Sequence, residues 1–541
     1  MTDHLLTFLV FCPLLGAALA MWLGLAGKIR SVKIVSILFS LLPLVLSGCL
    51  WVVHSQVSAD LAWPGLGTAE IDLPWIPLLG SRYHMGVDGI AVLLVILTAL
   101  LTTVCMIAAW RLPEDDTSAR VWQYYMLFFL LEVGMLGVFV SLDLVLFFLF
   151  WEISLIPMYF IIVLWGGKQR EAAALKFILF TLVGSAGMLV AFAALFLKSM
   201  TPSGAHTTDI VALIQQAHQA PIVAGTLGAV VFWLLWIAFA IKVPVFPFHT
   251  WLPLAHTEAP TEGSVILAAI LLKMGVYGMI RICLQVLPQE FHQFSSTVAW
   301  LGAFSVIYGS LCAMAQTDLK KLVAYSSINH MGFCTLGVAA AAGVTTADIA
   351  RDSAMHGYRM IALDGAVVEM LAHGLITGAM FLLVGVIYDR AHHRDLRRFG
   401  GLWSAMPVYG GVMIFCTLAS LGLPMLIGFV GEFLAFLGSF GVFRGAAIFS
   451  AVGLILAAAY WLWMLQRLLY GTPREDRHGI FADISPHELW AVGPLMLLTL
   501  LLGVYPRLIL DAINEASAAV LGGPLTALLP GAIHLASRIA R

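Results

Sequence analysis

Two lysines in apolar sequence are the first residues of this chain that could do chemistry. Lys242 and Lys273 are each preceded by a run of apolar residues, and three prolines follow Lys242 closely. A lysine in hydrocarbon costs about 2.5–3.5 kcal/mol on insertion scales. Proline frees backbone carbonyls, which a membrane tolerates only where they face protein or a water-filled cavity. Together these features indicate a hydrated ion path at mid-membrane depth.

Three more ionisable residues interrupt apolar sequence: Glu152, His330 and Glu432. A carboxylate in such surroundings is protonated or paired, and a histidine titrates near neutrality. Each residue could instead make a hydrogen bond that only joins two helices. Chains of such residues inside a helix bundle form proton relays. We therefore expect Glu152, Lys242, Lys273, His330 and Glu432 to form one line of proton carriers within the plane of a membrane.

Four further residues are weaker candidates for the same relay: His373, Lys176, His249 and His256. His373 resembles His330 in its apolar context. Lys176 is near the predicted end of its helix, where a lysine can extend its ammonium group to the membrane surface. The same alternative applies to Lys242. His249 and His256 follow Lys242 in a proline-rich segment, which either connects the lysines to water or is a solvated loop.

The composition is that of a membrane protein. The 541 residues are 61% hydrophobic and 11% charged, with a mean hydropathy of +0.97, whereas soluble proteins carry about 25% charged residues. The net charge of −2 and the lack of a basic tract argue against nucleic-acid binding. Seven cysteines occur singly, which argues against zinc, iron–sulfur and c-type haem sites. No metal or cofactor site is predicted.

The predicted fold is an all-α polytopic membrane protein with fourteen transmembrane helices, because fourteen apolar stretches approach the roughly 20 residues needed to span a bilayer. The first lacks the basic flank of a signal peptide, so we interpret it as a spanning helix. An amphipathic segment, about 510–540, should lie along the surface. The spans are 5–26, 33–54, 86–110, 122–141, 144–165, 172–197, 222–243, 262–284, 296–315, 321–342, 363–388, 406–438, 446–469 and 488–508.

Basic residues alternate between the loops. Loops after odd-numbered helices contain Lys28, Arg30, Lys33, Arg111, Arg120, Lys168, Arg170, Lys320, Lys321, Arg390, Arg394, Arg397, Arg398, Arg467, Arg474 and Arg477. Loops after even-numbered helices contain only Arg82, Lys198, Arg351, Arg359 and Arg444. By the positive-inside rule, the odd-numbered loops are cytoplasmic and both termini face the other side.

Helices 7 and 12 share an unusual pattern, since each is interrupted by proline and carries one ionisable residue, Lys242 or Glu432. They are five helices apart, so equivalent helices would cross the membrane in opposite directions. This predicts two inverted five-helix repeats, helices 4–8 (122–284) and helices 9–13 (296–469), with discontinuous helices 7 and 12 at the transport site. Residues 1–110 and 488–541 flank the repeats. The alternative is that proline and glycine are simply common in membrane helices.

Several long motifs resemble those of one protein family, the antiporter-like subunits of proton-pumping NADH:quinone oxidoreductase (respiratory complex I). Glutamate at position 432 favours chain M of this family, because chains L and N usually carry lysine there. The chain also lacks the long C-terminal lateral helix of chain L. The motifs are FFLFWEISLIPMYFIIVLWGG, AFAIKVPVFPFHTWLPLAHTEAPTEGSVILAAILLKMGVYG, DLKKLVAYSSINHMGF, MLAHGLITGAMFLLVG and GLPMLIGFVGEF.

The resemblance implies a role for each candidate. Glu152 and Lys242 would form a charged pair, Lys273 would link it to the centre, and His330 would lead to the exit residue Glu432. It also implies that flavin mononucleotide and iron–sulfur clusters belong to partner subunits, with no cofactor in this chain. The expected neighbours are chains L and N, including the lateral helix of chain L, in the bacterial inner membrane. The segment 343–365 is longer than usual, and its contacts are not predicted.

Two other functions remain open at this stage. Cation/proton antiporter subunits of the Mrp type share the same helices and charged motifs, as do subunits linked to hydrogenases or bicarbonate uptake. A structural spacer between active subunits is the third possibility, in which the five polar residues would affect assembly but not pumping.

Overall fold

The computed structural model describes residues 4–57, 71–112, 120–200, 204–472 and 481–522, and these form a mainly helical protein. The helices of the first half are α1 Leu5–Leu25, α2 Ile29–Val57, α3 Gly89–Ala108, α4 Val121–Val140, α5 Leu144–Trp165, α6 Arg170–Lys198, α7 Ile210–Gln219, α8 Gly225–Lys242, α9 Leu252–Glu258, α10 Thr261–Ile266 and α11 Leu272–Gly278. Those of the second half are α12 Pro288–Met314, α13 Leu319–Ala342, α14 Thr346–Arg351, α15 Ala354–Ala391, α16 Leu402–Ala405, α17 Pro407–Ser420, α18 Ile427–Val442, α19 Arg444–Leu469, α20 Pro486–Val504 and α21 Arg507–Val520.

Twelve helices in the described part of the chain are long and apolar enough to cross a membrane. One of them is the continuous helix Thr261–Leu284, which contains α10, α11 and two π-helical segments, Leu267–Leu271 and Met279–Leu284. Helices α17 and α18 are apolar but shorter. Helix α13 is long, but its serine, asparagine and histidine residues lower its hydropathy. The protein is therefore a polytopic, mostly helical membrane protein.

Each apolar stretch predicted to span has a helix at its position, although several helices differ in extent from the prediction. The stretch 406–438 is two helices, α17 and α18, separated by residues 421–426. The stretch 363–388 belongs to a helix that begins at Ala354. The long segment 343–365 is thus largely helical: Thr345 and Asp348 cap α14 reciprocally, and α15 starts soon after it. This capping box satisfies backbone N–H groups at the start of α14.

The all-α prediction is wrong in one detail, because the chain contains a β-hairpin. Strands β1 Ile71–Ile76 and β2 Ser81–Met85 pair antiparallel just before α3. Their connection turns at Gly80, which has a left-handed φ of 54°. Pro74 and Pro77 disfavour a helix in this short segment, and a hairpin satisfies its backbone groups instead.

The centre of the bundle consists of the helix Thr261–Leu284, α13 and α15. The most apolar windows of Thr261–Leu284 and of α15 are entirely buried inside the protein. Outer helices instead expose apolar side chains; Val183 of α6 and Ile455 of α19 are 70% and 72% exposed. Apolar side chains thus lie on the outside of the bundle, and its most completely buried helices lie in the centre. This arrangement is expected in a bilayer, where lipid covers the outer side chains.

Polar contacts tie together the loops at one end of the bundle. The carboxylate of Asp143, before α5, accepts hydrogen bonds from Ser81 Oγ at 2.9 Å and Thr208 Oγ1 at 2.7 Å. Nearby, His84 of β2 contacts the carboxylate of Asp209. These residues come from the loops after the second, fourth and sixth predicted spans, so those three loops lie at the same end.

A second set of ion pairs ties the loops at the other end. Arg390 binds both carboxylate oxygens of Glu488 at 2.8 Å, and Arg394 lies 3.3 Å from Asp318. Arg111 contacts Asp389 and lies 3.2 Å from Glu262. All of these residues are in or beside loops that follow odd-numbered predicted spans. Loops that the charge pattern predicts to lie on the same side therefore contact each other in the structure.

The C-terminal amphipathic segment lies against the bundle as far as it is described. Helix α21 contacts α3 and α15 and buries Ile509, Ile513 and Ala516. Its polar face remains accessible, and Arg507 and Asp511 form an exposed ion pair at 3.2 Å. The remainder of the predicted segment, 523–540, lies outside the described residues.

Helices α15 and α18 approach so closely that a methyl group at Gly365 would overlap the backbone of Leu434 and lie 2.6 Å from Ala435 Cα. We expect Gly365→Ala to destabilise the protein by about 1–3 kcal/mol, the usual cost of overpacking. Heating the detergent-extracted protein and measuring the monodisperse fraction that remains would detect this loss.

Gly357 is the matched control, because it lies in the same helix and a methyl group there would have nothing within 4 Å. Gly357→Ala should leave the heating profile unchanged or raise it slightly, since alanine favours helix over glycine. Equal heating profiles for the two variants would contradict the close packing of α15 on α18.

Candidate functional site

A cluster of one histidine and two carboxylates lies in the centre of the bundle. His330 Nδ1 is 3.0 Å from Glu369 Oε1 and 3.1 Å from Glu432 Oε1. The three residues come from α13, α15 and α18, and at most 6% of any of them is exposed. A buried carboxylate must be paired or protonated. Here the carboxylates of Glu369 and Glu432 share one partner, the His330 imidazole.

Glycines make the space for both carboxylates. A methyl group at Gly422 would lie 2.7 Å from Glu432 Oε2, and one at Gly431 would lie 2.6 Å from Glu369 Oε2. Gly422 belongs to the break between α17 and α18 and has a φ of +77°, a conformation that favours glycine. The interruption of the helix therefore allows the Glu432 side chain to lie beside the backbone of the break.

Lys273 is joined to this cluster through His373. The Lys273 ammonium group donates to the Ala268 carbonyl at 2.7 Å and lies 2.5 Å from His373 Nδ1. The His373 and His330 rings are 5.5 Å apart between centroids. Lys273 and His373 are 0% and 2% exposed. Four of the predicted residues, Lys273, His373, His330 and Glu432, are thus adjacent and form one buried line.

The helix that carries Lys273 is irregular on both sides of it. Two π-helical segments, Leu267–Leu271 and Met279–Leu284, flank the α-helical turns that contain this lysine. Such segments are rare and occur frequently at functional sites. Gly275 follows on the same turns, and a methyl group there would lie 2.8 Å from the Phe239 carbonyl of α8. The helices of Lys242 and Lys273 are therefore in close contact.

Lys242 is the last residue of α8 and is 1% exposed. Its ammonium group lies 4.9 Å from the centroid of the Trp151 ring and has no hydrogen-bond partner among the described residues. Trp251 stabilises the helix break that follows Lys242, because its Nε1 donates a hydrogen bond to the Ile241 carbonyl at 2.8 Å. A cation over an aromatic face is stabilised by the ring quadrupole, so Trp151 partly replaces a counterion.

Glu152 lies next to Trp151 on α5 but is only half-buried. Its Oε1 makes no hydrogen bond within the described part of the chain. The neighbouring residues on the same face, Leu149 and Ile156, are 42% and 56% exposed. The Glu152 and Lys242 side chains are thus on adjacent helices without direct contact between their charged atoms.

The other three weaker candidates do not contact the central cluster directly. Lys176 is half-buried, with its ammonium group 5.8 Å from the Phe180 ring centroid. His249 lies among aromatic rings, 4.9 Å from Tyr308 between centroids. His256 is fully buried and stacks on Phe381 at 4.8 Å, with both ring nitrogens unpaired among the described atoms. The two histidines are therefore not solvated, contrary to the loop alternative.

Of the polar residues near His330 in sequence, Asn329 faces away from the cluster. Its side-chain amide donates to the Val306 carbonyl at 3.3 Å and contacts Ser310, both on α12. Ser326 Oγ donates to the Val323 carbonyl of its own helix at 2.8 Å. Asn329 thus joins α12 and α13 and does not extend the buried line, whereas this bond of Ser326 stays within α13.

The buried carboxylates that the sequence analysis missed within predicted spans include Glu369, Glu132 and Asp364. Glu369 lies one helical turn before His373, and this i, i+4 spacing in EMLAH was the signal that could have found it. Glu132 of α4 is fully buried, and neither of its oxygens has a hydrogen-bond partner among the described residues. The sequence around Glu132 contains no second polar residue to mark it.

The central cluster also has the residue types of a cation site. One ligand atom from each of His330, Glu369 and Glu432 lies within 4.8 Å of the other two. The same atoms are already arranged as a histidine between two hydrogen-bonding or ion-pairing carboxylates, which accounts for their proximity without a metal ion.

Comparisons with known proteins identify the family. Residues 141–457 match the family model described as NADH:quinone oxidoreductase/Mrp antiporter, TM. NADH-quinone oxidoreductase subunit M of Rhodobacter capsulatus is 41% identical over 539 residues, which is 95% of this chain and 96% of the relative.

Solved structures have the same fold. A chain of respiratory complex I from Thermus thermophilus with bound NADH superposes with a TM-score of 0.81 at 30% identity, covering 96% of this chain and 100% of that one. A chain of the Mrp complex from Dietzia sp. DQ12-45-1b has a TM-score of 0.80 at 20% identity, covering 96% and 97%, and this likeness shows the fold alone.

The extent of these matches decides between the two families that share the fold. The identity to the subunit M relative holds over nearly the whole of both chains, whereas the Mrp likeness is one of shape. The chain therefore belongs to the subunit M family of NADH-quinone oxidoreductase, the antiporter-like, proton-translocating membrane subunits of respiratory complex I.

Proposed function

We propose that protons pass through this subunit from Lys273 by way of His373 and His330 to Glu432. The observation that carries the proposal is the buried line of contacts, from the Lys273–His373 distance of 2.5 Å to the His330–Glu432 distance of 3.1 Å. Each residue can hold or release a proton. The 5.5 Å between the two imidazole centroids is short enough for direct or water-mediated transfer.

Lys242 and Glu152 provide the input to this line in our proposal. Among the described residues, the Lys242 ammonium group lies over the Trp151 ring without a hydrogen-bond partner, and the Glu152 carboxylate acts on it from farther away, so its charge is weakly compensated. A change in a neighbouring subunit that moved Glu152 would alter their attraction and hence the proton occupancy of Lys242. The close contact between α8 and the Lys273 helix would transmit this change.

The position of Glu152 supports a protein neighbour on this side. A carboxylate that faces lipid is costly, and the face that it shares with Leu149 and Ile156 is exposed in the isolated chain. We propose that an antiporter-like neighbour, chain L or N, covers this face in the membrane arm, with the lateral helix of chain L along the assembly. Flavin mononucleotide and iron–sulfur clusters would then belong to other subunits, and this chain would carry no cofactor.

The proposed architecture is fourteen spanning segments with two inverted five-helix repeats. Contacts between successive helices support it, because they recur in both halves: α4 with α5, α5 with α6 and α6 with α8 correspond to α12 with α13, α13 with α15 and α15 with α17. The breaks after α8 and before α18 fall at equivalent positions, each beside an ionisable residue. Broken helices in matching repeats are typical of transport sites.

We further propose the bacterial inner membrane as the location, with both termini on the non-cytoplasmic side. The basic loops that follow odd-numbered spans would then be cytoplasmic. The ion pairs Arg390–Glu488 and Arg394–Asp318 support a common side for these loops.

Glu432→Gln keeps the size of the side chain but removes its ability to carry a proton. In the assembled complex, we expect NADH-driven acidification of membrane vesicles to fall sharply, because a positioned proton carrier contributes about 10²–10⁴-fold to a transfer step. Glu171→Gln, at an exposed glutamate of α6, is the control and should pump normally. Normal pumping by both variants would contradict the proposed path.

Lys242→Ala and Glu152→Ala test the input in the same way. Each should lower pumping, since either change removes one partner of the proposed attraction, whereas Lys168→Ala at an exposed loop position should have no effect. NADH oxidation with an artificial acceptor would report the amount of assembled complex. Unimpaired pumping in Lys242→Ala or Glu152→Ala would refute the mechanism, and altered assembly with unaltered pumping would favour the structural-spacer alternative.

The rival function, cation/proton antiport of the Mrp type, makes a different prediction. Subunits of that type would not co-purify with NADH:quinone activity, and their transport would depend on sodium. Equal NADH-driven pumping with and without sodium, in a complex that contains this chain, is the result that we expect.

A further inference from the structure

Glu369 is the member of the central cluster with no role so far. It is 1% exposed, its Oε1 lies 3.0 Å from His330 Nδ1, and its Oε2 has no hydrogen-bond partner among the described residues. Glu432 Oε1 approaches the same nitrogen at 3.1 Å. Two carboxylates therefore contact one imidazole nitrogen in a site from which bulk water is excluded.

The single hydrogen atom that His330 Nδ1 can carry limits the protonation states of Glu369 and Glu432. Nδ1 of an imidazole carries at most one hydrogen, and one N–H group can fully satisfy only one of two acceptors. The Lys273 ammonium group donates to the Ala268 carbonyl and contacts His373, and among the described residues it forms no ion pair with either carboxylate. Two like charges in one buried site repel each other, so a proton held by one of the two carboxyl groups would lower the energy of the cluster.

We propose that Glu369 is a second proton-carrying carboxyl group, which exchanges protons with His330 and so works alongside Glu432. In one step the Nδ1–H bond of a protonated His330 breaks and an O–H bond forms on Glu369, leaving a neutral imidazole and a neutral carboxylic acid. The reverse step recharges both groups. The inference rests on the proposed function, because it adds a carrier to the same path.

The fold favours this role in two ways. Glu369 and His373 lie one turn apart on α15, so Glu369 is beside the residue that contacts Lys273. On its other side, Glu369 Oε2 faces α18 at Gly431, where a methyl group would lie only 2.6 Å away. Glu369 is thus between the lysine side and the Glu432 side of the cluster.

A purely structural Glu369 would only accept a hydrogen bond that fixes the His330 ring. Glutamine can accept the same bond through its carbonyl oxygen but cannot carry a proton. Glu369→Gln therefore separates the two roles. Glu369→Asp keeps the carboxyl group on a shorter side chain and tests whether proton exchange is restored.

The experiment compares E369Q, E369D and E432Q in the assembled complex, with vesicle acidification measured per NADH oxidised at several pH values. We expect about a tenfold or larger loss for E369Q, a changed pH profile, and partial recovery in E369D. Infrared difference spectra should also lose a carboxyl band in E369Q that E369D keeps at a shifted frequency.

Each outcome is decisive. Normal pumping and an unchanged pH profile in E369Q, together with a loss in E432Q, would overturn the role of Glu369 and leave the proposed path intact. Normal pumping in both would refute the path itself. If E369Q fails to assemble, E369D decides: a changed pH profile with the shifted carboxyl band supports proton exchange, and a wild-type profile and spectrum overturn it.

Discussion

The fold depends on one constraint, which is that an ionisable group inside a bilayer must be neutral, paired or hydrated. The chain meets this constraint by collecting such groups in the centre. Lys273, His373, His330, Glu369 and Glu432 contact one another, and the two helices that carry Lys273, Glu369 and His373 have completely buried apolar windows. Apolar side chains occupy the perimeter instead. The same arrangement that protects these charges from lipid also brings them close enough to exchange protons.

Backbone irregularity and function are linked at both breaks in the bundle. The break before α18 includes Gly422, beside which the Glu432 carboxyl group lies, and the close approach of α18 to α15 at Gly431 makes room for Glu369. The break after α8 leaves Lys242 at a helix end, over the Trp151 ring. A regular helix with larger residues at these positions would fill the space that the polar side chains need.

The two halves of the site differ in their surroundings. The central cluster is buried within this chain, and its ionisable groups contact one another. Glu152 is instead on a half-exposed face of α5, and its Oε1 has no hydrogen-bond partner among the described residues. The proton-carrying cluster is therefore buried within this chain, whereas Glu152 is accessible to a neighbouring subunit. This difference is expected of a proton carrier that its neighbours control.

The sequence by itself determined the class of protein, the positions of its helices, the interruptions at Lys242 and before Glu432, and most of the buried ionisable residues, because hydropathy and the cost of burying charge are local properties of the chain. It also predicted the grouping of loops at two ends. Only the tertiary structure decided which residues meet. The packing of α15 on α18 brings Glu369 to His330, Asn329 turns to α12, and Glu152 stays apart from Lys242. These outcomes depend on helix rotation and close glycine contacts between distant segments, which no single stretch of sequence specifies.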